Sequence, residues 1–220
     1  MSNKKFLILL TISVIYITFS LACDPLAFRL ISVFGITISG SVMLYSGLYP
    51  MLDMLTRLLG KYLVIVMIVI FHFCDFLYSY ALYLVNSMPH PASFIHLQAY
   101  NIVIMPIPRM FWAGIIGSVI AGIVEVLLYA VMQKHIKKFF IASFISTAIV
   151  VIGHGLPTDY FAFEKIYPNQ VWHLVFANIG MNIVILTVYI TIASLVMKAI
   201  GKQYYRSVDT PIEMGEEVRA

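Results

Sequence analysis

Apolar residues arrive along this chain in blocks close to the ~20 residues a helix needs to cross hydrocarbon, with polar residues gathered between them. Six such blocks predict six transmembrane helices: Phe6–Ala22, Ser41–Leu59, Tyr62–Val85, Met110–Val131, Phe139–Gly155 and Trp172–Ile200, the last long enough to tilt or protrude. Two intervening segments have a character of their own. "FGITISG" (Phe34–Gly40) alternates like a short extended hairpin arm, and Ser87–Pro108 is a long aromatic loop with four prolines. Loops of that length are usually lids, binding segments or disordered stretches. Residues 1–201 form one transmembrane domain, and residues 202–220 a polar tail.

Composition agrees with this pattern: 61% of the 220 residues are hydrophobic and 11% charged, with mean hydropathy +0.94. A soluble domain carries about 25% charged residues, so the expected class is an all-α, multi-pass membrane protein. The net charge of +4 does not signal nucleic acid, because the cations sit in alternate connections. Lys4, Lys5, Arg57, Lys61, Lys134, Lys137, Lys138, Lys198, Lys202, Arg206 and Arg219 fall on one side, leaving Arg29, Arg109 and Lys165 on the other, 11 to 3 of the 14. The positive-inside rule then puts both termini in the cytoplasm. Cys23 and Cys74 form no metal-ligand or disulfide pattern. The opening "MSNKKFLILLTISVIYITFSLACD" has a signal-like build, but Ser20 stands where a lipoprotein cleavage box has an aliphatic residue, and removal would leave an odd number of spans. The first span is therefore read as retained.

Polar residues inside the blocks are costly, about 2.5–3.5 kcal/mol for a central charge on insertion scales, and usually face a cavity or a partner. Asp53 precedes Arg57 by four residues, which predicts an ion pair at the inner boundary. His72, Asp75 and Ser79 share a face of the third span, where a helix-to-helix hydrogen bond is the plainer expectation. In the fourth, Gly114, Gly117, Ser118, Ala121, Gly122 and Glu125 make one stripe of small residues ending in an acid, suited to close helix packing or to lining a polar cavity. Gly153, Gly155 and Pro157 are stop signals that end the fifth span near Gly155, leaving Asp159 in the outer loop or interface as a solvated or capping acid. No zinc-protease, nucleophile-elbow or phosphate-loop motif occurs, and the scattered histidines suggest no metal site. A membrane enzyme built on Ser146, His154 and Asp159 is the remaining catalytic reading, with no spacing that fixes a nucleophile and base.

Several segments in order resemble a family. "FGIT" precedes the second span; "LDMLTRLLGK" places Asp53, Arg57 and Gly60 in an aspartate-to-glycine signature; "PRMFWAGIIGSVIAGIVEVLLYAVMQK" is similar to an Arg-led fourth helix, with Glu125 where an aspartate is usual; "ASFISTAIVVIGHG" and "YFAF" fit the fifth. Together they resemble the queuosine precursor transporters, labelled as vitamin uptake proteins, which carry 7-deazaguanine bases. The resemblance implies a six-helix fold similar to the substrate-binding subunits of energy-coupling vitamin transporters, in the bacterial inner membrane. It also implies a small-molecule site near the outer face under the first and third outer loops, no cofactor, and no ATPase module.

Two positions depart from the family pattern: His154 stands where an aspartate is usual and Asn182 where a lysine is usual. Their joint neutrality avoids one unpaired buried charge. The substrate-binding residues expected are Glu125, accepting from the base's N–H donors, with His154 and Asn182 at its carbonyl or pyrrole side. Trp172 (or Tyr160 or Phe161) would stack, Asp53 belongs to the same signature, and Arg109 orders the loop above. Partners are the substrate and the bilayer; a substrate-binding subunit working with an energising partner, or a homo-oligomer, is the alternative arrangement.

Overall fold

The computed structural model describes residues 3–91, 93–201 and 204–205; for 108–116 only the backbone is described. Nearly all of it is helix: α1 (Asn3–Ala27), α2 (Val42–Tyr45), α3 (Leu48–Leu59), α4 (Lys61–Ser87), α5 (Leu97–Ile104), α6 (Ile107–His135), α7 (Phe139–Phe163) and α8 (Val171–Ile200), with a two-stranded hairpin, β1 (Leu30–Val33) and β2 (Ile36–Ser39), after α1. Among the described residues, five helices are long and apolar enough to cross a membrane: α1, α4, α6 (over Gly117–His135), α7 and α8. α8 shows why such helices have no polar face. Leu186, Ile190, Ala193 and Met197 are buried, while Val184, Val188, Ile192 and Leu195 are exposed and equally apolar, as expected of a helix covered by protein on one side and hydrocarbon on the other.

The second expected span is a broken, buried element. α2 stops after one turn, and α3 restarts at Leu48 with Leu52, Asp53, Leu55, Thr56 and Leu58 almost wholly inaccessible. At the break, Ser46 Oγ lies 2.8 Å from Val42 O and 2.6 Å from Asn182 Oδ1 on α8. Irregular backbone at such depth is tolerated where protein surrounds it. Around this element α7 packs against both α6 and α8, and α4 against α6 and α1.

Two helices run past their expected ends. α1 continues through Pro25 to Ala27, and α7 through Pro157 to Phe163, so Asp159 is a helical residue rather than part of a loop. Packed helices re-satisfy the backbone group a proline frees, and the stop signals are overridden. The Ser87–Pro108 connection holds the short α5. The predicted hairpin arm pairs antiparallel with residues 30–33, and its turn has Phe34 at φ 51° and Gly35 at φ 81°, the left-handed pair a two-residue hairpin turn requires.

The basic ends of the helices meet at one end of the bundle. Lys4 sits over the Tyr204 ring at 5.9 Å, and Arg57 over Tyr205 at 4.5 Å and Phe139 at 5.8 Å. The expected Asp53–Arg57 ion pair does not form. Asp53 points inward toward α6 and α7, whereas Arg57, one turn nearer the end, places its guanidinium on aromatic faces. Most of the polar tail, 206–220 with 202–203, lies outside the described residues.

Candidate functional site

A cavity of about 110 Å³ opens beside the α2–α3 break, in the half of the bundle away from the lysine-bearing ends. Each wall comes from a different element. α1 supplies Tyr16 and Asp24, α4 His72 and Asp75, α7 His154 and Asp159, α8 Asn178 and Asn182, the broken helix Tyr45 and Tyr49, and α6 its small residues Ser118 and Gly122. Helical spacing explains the pairs: Tyr45 and Tyr49, His72 and Asp75, Asn178 and Asn182 each stand three or four residues apart and so share a face.

His154 is held at both ring nitrogens. Nδ1 is 3.1 Å from the Tyr45 hydroxyl, Nε2 is 3.0 Å from Thr158 Oγ1, and Tyr45 OH lies 2.7 Å from Tyr49 OH. The Tyr45 and His154 rings are nearly parallel, 19° apart. Asp159 Oδ2 accepts from Asn178 Nδ2 at 3.0 Å, and Asn178 Oδ1 accepts the Ser39 N–H at 2.9 Å, joining α7, α8 and the hairpin. On the α1–α4 side, Ser79 Oγ donates to Asp24 Oδ2 at 3.2 Å, and Asp24 and Asp75 face the same cavity.

One layer below the cavity floor lies a second carboxyl pair. Asp53 and Glu125 are wholly buried and adjoin each other. Ser143 Oγ donates to Asp53 Oδ2 at 2.5 Å, while Ser146 Oγ and Thr147 Oγ1 donate to Glu125 Oε1 at 2.7 and 2.9 Å. The serines and threonine of α7 thus solvate two acids that would otherwise be stranded in an apolar core.

Of the residues singled out from sequence, His154 and Asn182 line the cavity together. Glu125 and Asp53 do not line it; Glu125 Oε1 accepts from two hydroxyls, and its Oε2 has no hydrogen-bond partner among the described residues. Trp172 is 55% exposed, its ring 5.0 Å from Tyr160, outside the cavity. The side chain of Arg109, and Gly114 of the small-residue stripe, lie outside the described side chains. Asp24, Tyr45, Tyr49 and Asn178 were not anticipated. The i, i+4 spacing of Asn178 with Asn182 was the readable signal for one of them, and an acid placed beside a proline hid another. Among the described residues no three metal-ligating side chains converge.

No match is found among curated proteins, and none among solved structures. Residues 39–197, running from the end of the hairpin through nearly all of α8 and so including the broken helix and both asparagines, match the sequence profile of the family described as "Putative vitamin uptake transporter". The chain is a multi-pass membrane protein, and it belongs to that vitamin uptake transporter family.

Proposed function

We propose that this protein imports a small planar nitrogen heterocycle, a 7-deazaguanine base serving as a queuosine precursor, across the bacterial inner membrane, and that the cavity is its binding site. The observation that carries the reading is the position of the cavity at a broken helix in a chain of an uptake family. Transporter sites form where discontinuous helices leave backbone and side-chain polar groups free for a ligand. Tyr45 and His154 offer flat faces to a ring, the Asp159 carboxyl accepts from N–H donors on the pyrimidine edge, and Asn182 Nδ2 donates to the neighbouring carbonyl. A base lacking those donors leaves the carboxyl unmatched in a desolvated site, which is a strong basis for discrimination.

On this reading Asp53 and Glu125 hold the helices beneath the ligand rather than touching it, Trp172 stands at the mouth, and Arg109 at the start of α6 orders the loop above. The α2–α3 element counts as the sixth crossing, with both termini cytoplasmic, an arrangement similar to the substrate-binding subunits of energy-coupling vitamin transporters. The protein acts as a carrier without enzymatic chemistry or an ATPase module.

A ligand that binds the folded state raises its apparent stability. Thermal unfolding of the detergent-solubilised protein should therefore shift upward with a 7-deazaguanine base, and the shift should shrink in Asn182→Ala and Asp159→Asn. In cells unable to make queuosine, expression should restore the modified tRNA when the base is supplied. Confirmed membrane insertion with no thermal shift and no restored tRNA would exclude this substrate class.

A further inference from the structure

We infer that a polar seam between α3 and α6 is the inner half of the transport route, the path by which the bound molecule leaves the cavity toward the basic end of the bundle. The inference rests on the carrier reading above and deepens it. Nine buried side-chain polar atoms have no hydrogen-bond partner among the described residues, and five of them lie in this seam. They are Asp53 Oδ1 and Arg57 Nε on α3, and Glu125 Oε2, Tyr129 Oη and Gln133 Oε1 on α6. The other four are scattered over α4, α5 and α8.

Within each helix these residues stand four apart, so each set forms one stripe. Both stripes converge on α7, in two layers. In the upper layer Asp53 takes the Ser143 hydroxyl and Glu125 those of Ser146 and Thr147. One turn further on, the Phe139 ring lies 5.8 Å from the Arg57 guanidinium and 5.8 Å from the Tyr129 ring. The seam starts at the cavity: Tyr49, which lines it, precedes Asp53 by one turn, and Gly122, which also lines it, precedes Glu125 by three residues. It ends at Tyr205, whose ring lies over Arg57 at 4.5 Å while its hydroxyl donates to Met197 O at 2.7 Å.

Unpartnered polar atoms inside a protein are costly, and native structures hold few of them. Their alignment in one column below the cavity has a direct cause in alternating access, where the half of a carrier that is closed in one state is wetted in the other. With α3 and α6 parted, Asp53, Glu125 and Gln133 offer acceptors and Arg57 a donor to water and to a passing heterocycle, and Tyr129 Oη serves as either. With the helices together, the same atoms go unmatched, while the α7 hydroxyls and the Arg57–Tyr205 contact hold the floor shut beneath the ligand.

The test is water access, measured on the full chain in lipid nanodiscs. In a Cys23→Ala, Cys74→Ala background, a charged methanethiosulfonate should label Tyr129→Cys severalfold faster than Leu127→Cys or Val131→Cys, which stand on the same helix but are 42% and 49% exposed on its lipid side. Adding Tyr205→Ala, which unseats the ring at the foot of the seam, should speed labelling at 129 further and leave 127 and 131 unchanged. If Tyr129→Cys does not fold, the unmutated ring reports instead: hydroxyl-radical oxidation of Tyr129 should rise severalfold on Tyr205→Ala. Labelling at 129 no faster than at 127 and 131, or Tyr129 oxidation that Tyr205→Ala does not move, overturns the inference and leaves the proposed substrate standing. Neither readout uses a ligand, so fast labelling at 129 without a thermal shift from a deazaguanine base supports the route and strikes the substrate alone.

Discussion

Ser143, Ser146 and Thr147 occupy neighbouring positions on α7 and give three hydroxyl donors to two carboxyl groups that no water reaches. Removing one donor leaves a buried acceptor with its desolvation cost uncompensated, about 1–3 kcal/mol. Ser143→Ala should accordingly destabilise the protein by about that amount, measured by thermal unfolding in detergent, while leaving the cavity's lining intact. A second single-residue prediction concerns Gly117. A Cβ there would come within 3.1 Å of His154 Nε2 and 3.4 Å of Thr158 Oγ1, inside the space of their 3.0 Å hydrogen bond. Gly117→Ala should keep the fold and displace the His154 ring. The ligand-induced thermal shift should fall relative to the parent; an unchanged shift would remove His154 from the site.

The break between α2 and α3 depends on a close approach to α8. A Cβ at Gly47 would meet the Tyr189 ring at 3.0–3.2 Å, and crowding of that kind costs about 1–3 kcal/mol. Gly47→Ala should lower stability, and Tyr189→Leu in the same chain should cost less than the sum of the two single changes, a coupling that a double-mutant cycle reads directly. At this scale the long helices were legible from hydropathy alone, since a block of about twenty apolar residues has few other folds open to it. Their ends were not. Pro157 reads as a stop signal yet lies inside α7, and that local misreading moved Asp159 from the cavity wall into an imagined loop, while the first span was set to end at Ala22, short of the cavity residue Asp24. The α2–α3 break was equally hidden, because its cause is a neighbour distant in sequence: the Asn182 amide, 136 positions away, beside Ser46. Of the expected site, His154 and Asn182 were found through departures from a family pattern. Asp24 and Asp75 reach the same cavity from two helices, a convergence with no signature in either segment.

Across the whole molecule, chemistry is divided between the two ends. Arg57 and Lys4 pack on Tyr205, Phe139 and Tyr204 at one end, whereas the cavity, the hairpin and the α7–α8 connection lie toward the other. If the basic end is cytoplasmic, single cysteines in a cysteine-free background should label asymmetrically. Ser93→Cys should react with an impermeant maleimide in intact cells, and Lys137→Cys only after permeabilisation; the reverse pattern would invert the topology. The hairpin carries one more consequence. Its tip is at the surface, with Phe34 98% exposed, while its base is fastened through Ser39 to Asn178, whose other amide group holds the cavity acid Asp159. A single side-chain amide therefore couples the deep chemistry to an external pointer. A ligand that displaces Asp159 in the proposed site should therefore change the anchorage of that tip, and the anisotropy of a fluorescent probe on the turn would read the change.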